Sequence, residues 1–171
     1  LKKLSLKNLY IKSDNFFKQN KILSANPGLH TQKLDANSEI TKEILKKKIN
    51  NYCIISSINN GSHLLGLTKN FNNKTFYGIY TKSKLAKSIN SFALTEVKKR
   101  KKYNELNLIE AKDKDIVKGF RLLAKEGLFL DGASCAIIGS LKKIKQKNIC
   151  CVLSGSALNN LTEVQKIISK I

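Results

Sequence analysis

Three short segments of this 171-residue chain hold residue types able to do chemistry. The first is Asn59-Asn60-Gly61-Ser62-His63. It follows the apolar run Cys53-Ile54-Ile55 and precedes a helical pattern. A tight turn between a buried strand and a helix can aim backbone N–H groups at an anion. Gly61 supplies the left-handed backbone such a turn needs, and Asn59 and Asn60 tolerate it. An ordinary strand-to-helix turn accounts for the same residues. The second is Val152-Leu153-Ser154-Gly155-Ser156, where a hydroxyl at a strand's carboxyl end can bond a ligand's ring nitrogen or cap the next turn. The third runs from Lys125 to Ala136. Here Gly127 ends one helix, and Asp131 or Ser134 starts the next. His63 can act as acid or base near neutral pH, or serve as a turn histidine.

These segments need elements to position them. Leu9-Tyr10-Ile11, Asn51 to Ile58, Thr75 to Tyr80, Leu106 to Glu110 and Ile149 to Leu153 read as strands. Asn51 to Ile58 and Ile149 to Leu153 are apolar enough for burial on both faces. Helical patterns occupy Glu39 to Lys48 and the stretch with Leu64, Leu65, Leu67 and Phe71. A further one runs to about Lys125 with Asp113 as its N-cap, and another covers Ala133 to Lys145. Thr162 opens the last. Strands alternating with helices predict an α/β fold with a mostly parallel sheet. Ligands of such sheets sit at the carboxyl ends of the strands, where Asn59–His63 and Ser154–Ala157 both fall. Ile54, Ile79, Ile109 and Val152 should therefore share one sheet.

Composition narrows the function classes. Apolar residues make up 42% of the chain, enough for a core. No run of apolar residues is long enough to span a membrane, and the lysine-broken start does not read as a signal peptide. Cys53, Cys135, Cys150 and Cys151 form no CxxC pair, so no metal site is expected. They read as buried free thiols of a reducing compartment. The net charge of +20 invites a nucleic-acid partner. Yet thirty of the thirty-two basic residues are Lys, and only Arg100 and Arg121 can fork onto phosphate or guanine. Lys, Asn and Ile are residues of AT-rich codons. That bias predicts lysines spread over the surface rather than gathered in a stripe. The run Lys98-Lys99-Arg100-Lys101-Lys102 is the exception, read as a solvated loop or helix end.

In order along the chain, the segments resemble the threonine synthase family. Glu126-Gly127-Leu128-Phe129-Leu130-Asp131-Gly132-Ala133-Ser134-Cys135-Ala136 resembles that family's EGIFVEPASAA. Val152 to Asn160 resembles VLTGNGLKD, and Ser57 to Phe71 is similar to PVGNGGNLAGIWKGF. Glu110 to Ile116 is similar to EVSDEEI, and Gln32-Lys33 with Glu39-Ile40 to GQKT…EI. Leu6 to Lys18 resembles LKNLYVKDE…SFKDR, whose lysine carries the cofactor.

The resemblance implies the large domain of the tryptophan-synthase-β-like pyridoxal-phosphate fold, with the small domain largely missing. Residues 1–171 then form one α/β domain, with 1–50 an N-terminal remnant and 51–171 the core. It implies conversion of O-phospho-L-homoserine to L-threonine and phosphate by pyridoxal-phosphate chemistry in the cytoplasm. Lys18 falls at the catalytic Schiff-base lysine. Asn59, Asn60, Gly61, Ser62 and His63 fall on the phosphate loop, where one of three glycines remains. Ser154, followed by Gly155, replaces the Thr that bonds the pyridine nitrogen. After Lys18 the family has a long segment with no counterpart here. A homodimer or a complementing chain is the partner this shortening suggests, and nucleic acid ranks behind a small-molecule substrate. The alternative is a catalytically dead pseudoenzyme acting as a basic binding or scaffold protein.

Overall fold

The computed structural model describes residues 9–13, 31–47, 52–59, 61–71, 74–89 and 105–171. Five strands hydrogen-bond into one sheet: β1 (Leu9–Ser13), β2 (Cys53–Ser57), β3 (Thr75–Tyr80), β4 (Glu105–Glu110) and β5 (Ile149–Leu153). Their order is β1-β5-β2-β3-β4, and every neighbouring pair is parallel. Ile54, Ile79, Ile109 and Val152 lie in this one sheet, as the apolar runs predict.

The central strands are apolar because both of their faces are covered. Every residue of β2 and β5 is buried. β4, at one edge, buries only Leu106 fully. The four cysteines are free and buried, as their surroundings predict. Burial pushes the Cys53 thiol up to about 11 and that of Cys135 up to about 12.

Among the described residues five α-helices flank the strands: α1 (Thr31–Lys46), α2 (Ser62–Thr68), α3 (Asp113–Lys125), α4 (Gly132–Ser140) and α5 (Leu161–Ile168). α1 begins well before Glu39, since Leu34 already packs against the core ahead of Ile40 and Ile44. α4 is buried along its whole length and packs on β2, β3 and β5. It crosses α3 closely. A methyl group on Gly119 would overlap the Cys135 carbonyl, and one on Gly139 the Asp115 carbonyl. Small residues let two helix backbones approach this far.

Three helix ends differ from expectation. Lys112, not Asp113, is the N-cap of α3. Asp115 reaches back to accept the Lys112 N–H at 2.8 Å, while Asp113 pairs with Lys170 at 2.5 Å. α4 stops at Ser140 and gives way to a 3₁₀ turn, Leu141–Lys143, so that the buried Ile144 turns back toward β5. Asn160, not Thr162, precedes the first residue of α5.

Candidate functional site

In a parallel sheet all carboxyl ends lie at one edge. β1, β5 and β2 are consecutive neighbours, so Ser13, Ser154 and Ile58 emerge side by side. Adjacent strands stand roughly 5 Å apart. The carboxyl end of β1, the Ser154 turn and the end of β2 at Ile58 and Asn59 therefore lie at three adjoining strands.

The Ser154 turn is held by a second segment. Leu130 and Ser156 form an antiparallel bridge. The Asp131 N–H donates to the Gly155 carbonyl at 3.3 Å, and the Ala157 N–H to the Phe129 carbonyl at 3.2 Å. The Asp131 side chain caps α4 by accepting the Ser134 N–H at 2.9 Å. It also lies over Gly155, where any Cβ would overlap its carboxylate. Ser154 itself is exposed at the end of β5.

At the end of β2 the exposed Asn59 leads to Gly61, whose φ of 84° is left-handed. A side chain there would be strained, which explains the surviving glycine. Ser62 opens α2 and is buried. His63, one residue further, is half-buried, with Nδ1 3.5 Å from the Ser56 hydroxyl. Ser56 lies in the strand and is fully buried, so this contact ties the first turn of α2 back onto β2.

The structure brings Asn59, Gly61, Ser62 and His63 to the same sheet edge as Ser154 and Gly155. Lys18 and Asn60 lie outside the described residues, as does the run Lys98 to Lys102. Among the described residues, no group of His, Cys, Asp and Glu could hold a metal ion. Sequence reasoning gave Asp131 only a capping role. Its contact with Gly155 was not visible there, although both residues stand in motifs that carry the family resemblance.

No family model and no curated protein sequence matches the chain. Solved structures do. A fungal L-serine ammonia-lyase from Rhizomucor miehei superposes with a TM-score of 0.60 at 15% identity, over 80% of this chain and 57% of that one. A hydrogen sulfide-producing enzyme, solved with an α-aminoacrylate intermediate, gives 0.58 at 20% identity over 76% and 46%. Threonine deaminase isoform 2 from Solanum lycopersicum gives 0.58 at 14% identity over 80% and 49%. The fold is the tryptophan-synthase-β-like fold of the pyridoxal-phosphate enzymes. The chain spans about half the length of these structures. No helix among the described residues is long and apolar enough to cross a membrane.

Proposed function

We propose that the chain is a pyridoxal-phosphate-dependent lyase of threonine synthase type, acting on O-phospho-L-homoserine in the cytoplasm. One observation carries the reading. Strands β1, β5 and β2, which adjoin in sequence the three segments that resemble cofactor-binding motifs, are neighbours in the sheet.

The described residues fit the cofactor at two points. Gly61, with its positive φ, opens α2 and lets backbone N–H groups face a phosphate. Ser154, exposed just past the neighbouring strand β5, carries a hydroxyl suited to a ring nitrogen. A hydroxyl is too weak an acid to pass its proton to pyridine, so Ser154 would leave that nitrogen neutral. The bound cofactor would supply an electron sink for a carbanion beside the substrate's amine. Lys18 is assigned as the attachment residue on the sequence resemblance, because a desolvated amine is a tunable nucleophile and base. A homodimer or a complementing chain is the partner proposed with this activity.

The test is product analysis with added pyridoxal phosphate. Phosphate and threonine should appear from O-phospho-L-homoserine, and Ser154→Ala should lower the rate. A 2-oxo acid formed from serine or threonine, without threonine synthesis, would reassign the chain to the deaminating lyases. No turnover of any of these, at any stoichiometry of added copies, would leave the basic binding protein as the function.

A further inference from the structure

The outward face of α3 carries Lys114, Lys118, Arg121 and Lys125. In an α-helix these positions fall within an arc of roughly 60° and spread over about 16 Å of axis. Lys114, Arg121 and Lys125 are exposed, Arg121 with one guanidinium N–H donated to the Ile171 oxygen, and Lys118 is half-exposed. The opposite face, with Ile116, Phe120 and Leu123, is buried. A fifth cation joins from the 3₁₀ turn after α4, where the Lys142 side chain meets that of Lys118. Burial and this second ammonium hold the Lys118 amine below its usual range. The helix's own carboxylates are engaged to either side of the arc. Asp113 pairs with Lys170 at 2.5 Å and Asp115 with Lys143 at 2.7 Å.

Lysines in single file repel one another, and an anionic ligand relieves the repulsion. Three kinds of polyanion compete for such a row. A protein partner needs a desolvated apolar or aromatic anchor at the centre of its interface. The arc offers none, since its apolar margins, Val117 and Leu122, are partly buried against the core. A membrane surface needs a free apolar helix face, and that of α3 is packed on α4. A phosphodiester backbone needs only the line of cations.

We propose that the Lys114–Lys118–Arg121–Lys125 face of α3, with Lys142 beside it, docks the phosphate backbone of a single-stranded nucleic acid. Lysine ammonium groups act as point charges and do not read base edges, so binding is independent of sequence. The surface stands whether or not the sheet edge binds a cofactor.

The test measures anisotropy of a labelled oligouridylate of about twelve nucleotides, long enough to cover one such site. The wild type should bind, with log K falling against log salt at a slope of about −3 for four phosphates on a single strand. The variant K114Q/K118Q/R121Q/K125Q should lose at least about tenfold in affinity and most of that slope. The charge-matched variant K46Q/K47Q/K82Q/K84Q, altered at exposed lysines elsewhere, should keep both. Lys142→Gln, outside the helix, should give a smaller loss in the same direction. Equal losses in the two quadruple variants would mean that net charge alone binds, and would overturn the proposal. So would absence of binding by the wild type. Displacement of the strand by polyglutamate at equal charge would hand the surface to an acidic protein.

Discussion

Asp131 lies across Gly155 so closely that a methyl group on Gly155 would overlap its carboxylate. The same aspartate caps α4 and donates its backbone N–H to the Gly155 carbonyl. One residue thus fixes both the start of a buried helix and the turn that presents Ser154. Gly155→Ala should cost about 2 kcal/mol by overpacking. Asp131→Ala should cost about 1 kcal/mol through the lost cap. The double variant should be more stable than the sum of the two losses, because removing the carboxylate makes room for the methyl group. Urea unfolding of the four proteins measures the coupling. Strict additivity would mean that the two residues do not meet in solution.

The thiols give a test of the core. Burial raises the Cys53 thiol to about 11 and that of Cys135 to about 12, so neither forms thiolate at neutral pH. Cys151 is raised well above its ordinary value by the same cause. Thiolate is the reactive form. These thiols should therefore resist a thiol-specific reagent at pH 8 in the native protein and react promptly in denaturant. Rapid labelling of Cys53 or Cys151 without denaturant would contradict the burial of β2 and β5.

Asp115 should make stability depend on pH. Burial pushes its carboxyl up, but the hydrogen bond from Lys143 and that from the Lys112 N–H outweigh it and leave the net shift downward. A carboxyl lowered on folding stabilises the protein above its unfolded value, near 3.8, and that contribution is lost as pH falls through the folded value. Asp115→Asn should cost about 1–2 kcal/mol at pH 7. The cost should shrink toward pH 3. Urea midpoints at both pH values measure it, and a cost unchanged at pH 3 would count against the ion pair.

Glu163 on α5 is 4% exposed. One carboxylate oxygen accepts the Lys87 N–H at 2.9 Å and the other is buried with no hydrogen-bond partner among the described residues. Glu163→Gln keeps the acceptor and removes an uncompensated buried charge, so it should raise stability by about 1 kcal/mol. Glu163→Ala, which abandons the Lys87 N–H as well, should lower it. Thermal melting of the two variants checks the opposite signs. Destabilisation by both would show that the negative charge itself is used.

Strand positions were legible because burial on both faces forces apolar runs, as in Ile149-Cys150-Cys151-Val152-Leu153. Helix ends were less so. The early turns of α1 hold Leu34 as their main core contact, too sparse for a periodic signal. The apolar and small residues of α4 gave no hint of its stop at Ser140, where a 3₁₀ turn, Leu141–Lys143, takes over. Ser154 and Gly61 were legible as strand-end polar residues. The Asp131 contact with Gly155 joins positions far apart in sequence, and no local pattern encodes it. The lysine row on α3 was written at i, i+4, i+7 and i+11, yet sank into a composition rich in lysine.

In the proposed function, the edge formed by β1, β5 and β2 binds pyridoxal phosphate through Lys18 and Ser154. Adding the cofactor to the folded chain and recording the visible absorbance band of lysine-bound cofactor tests this most directly. The band should appear with the wild type, vanish in Lys18→Ala, change position or pH response in Ser154→Ala, and persist in Lys101→Ala. Equal bands in the Lys18 and Lys101 variants would mean indiscriminate reaction with surface lysines and would contradict the account.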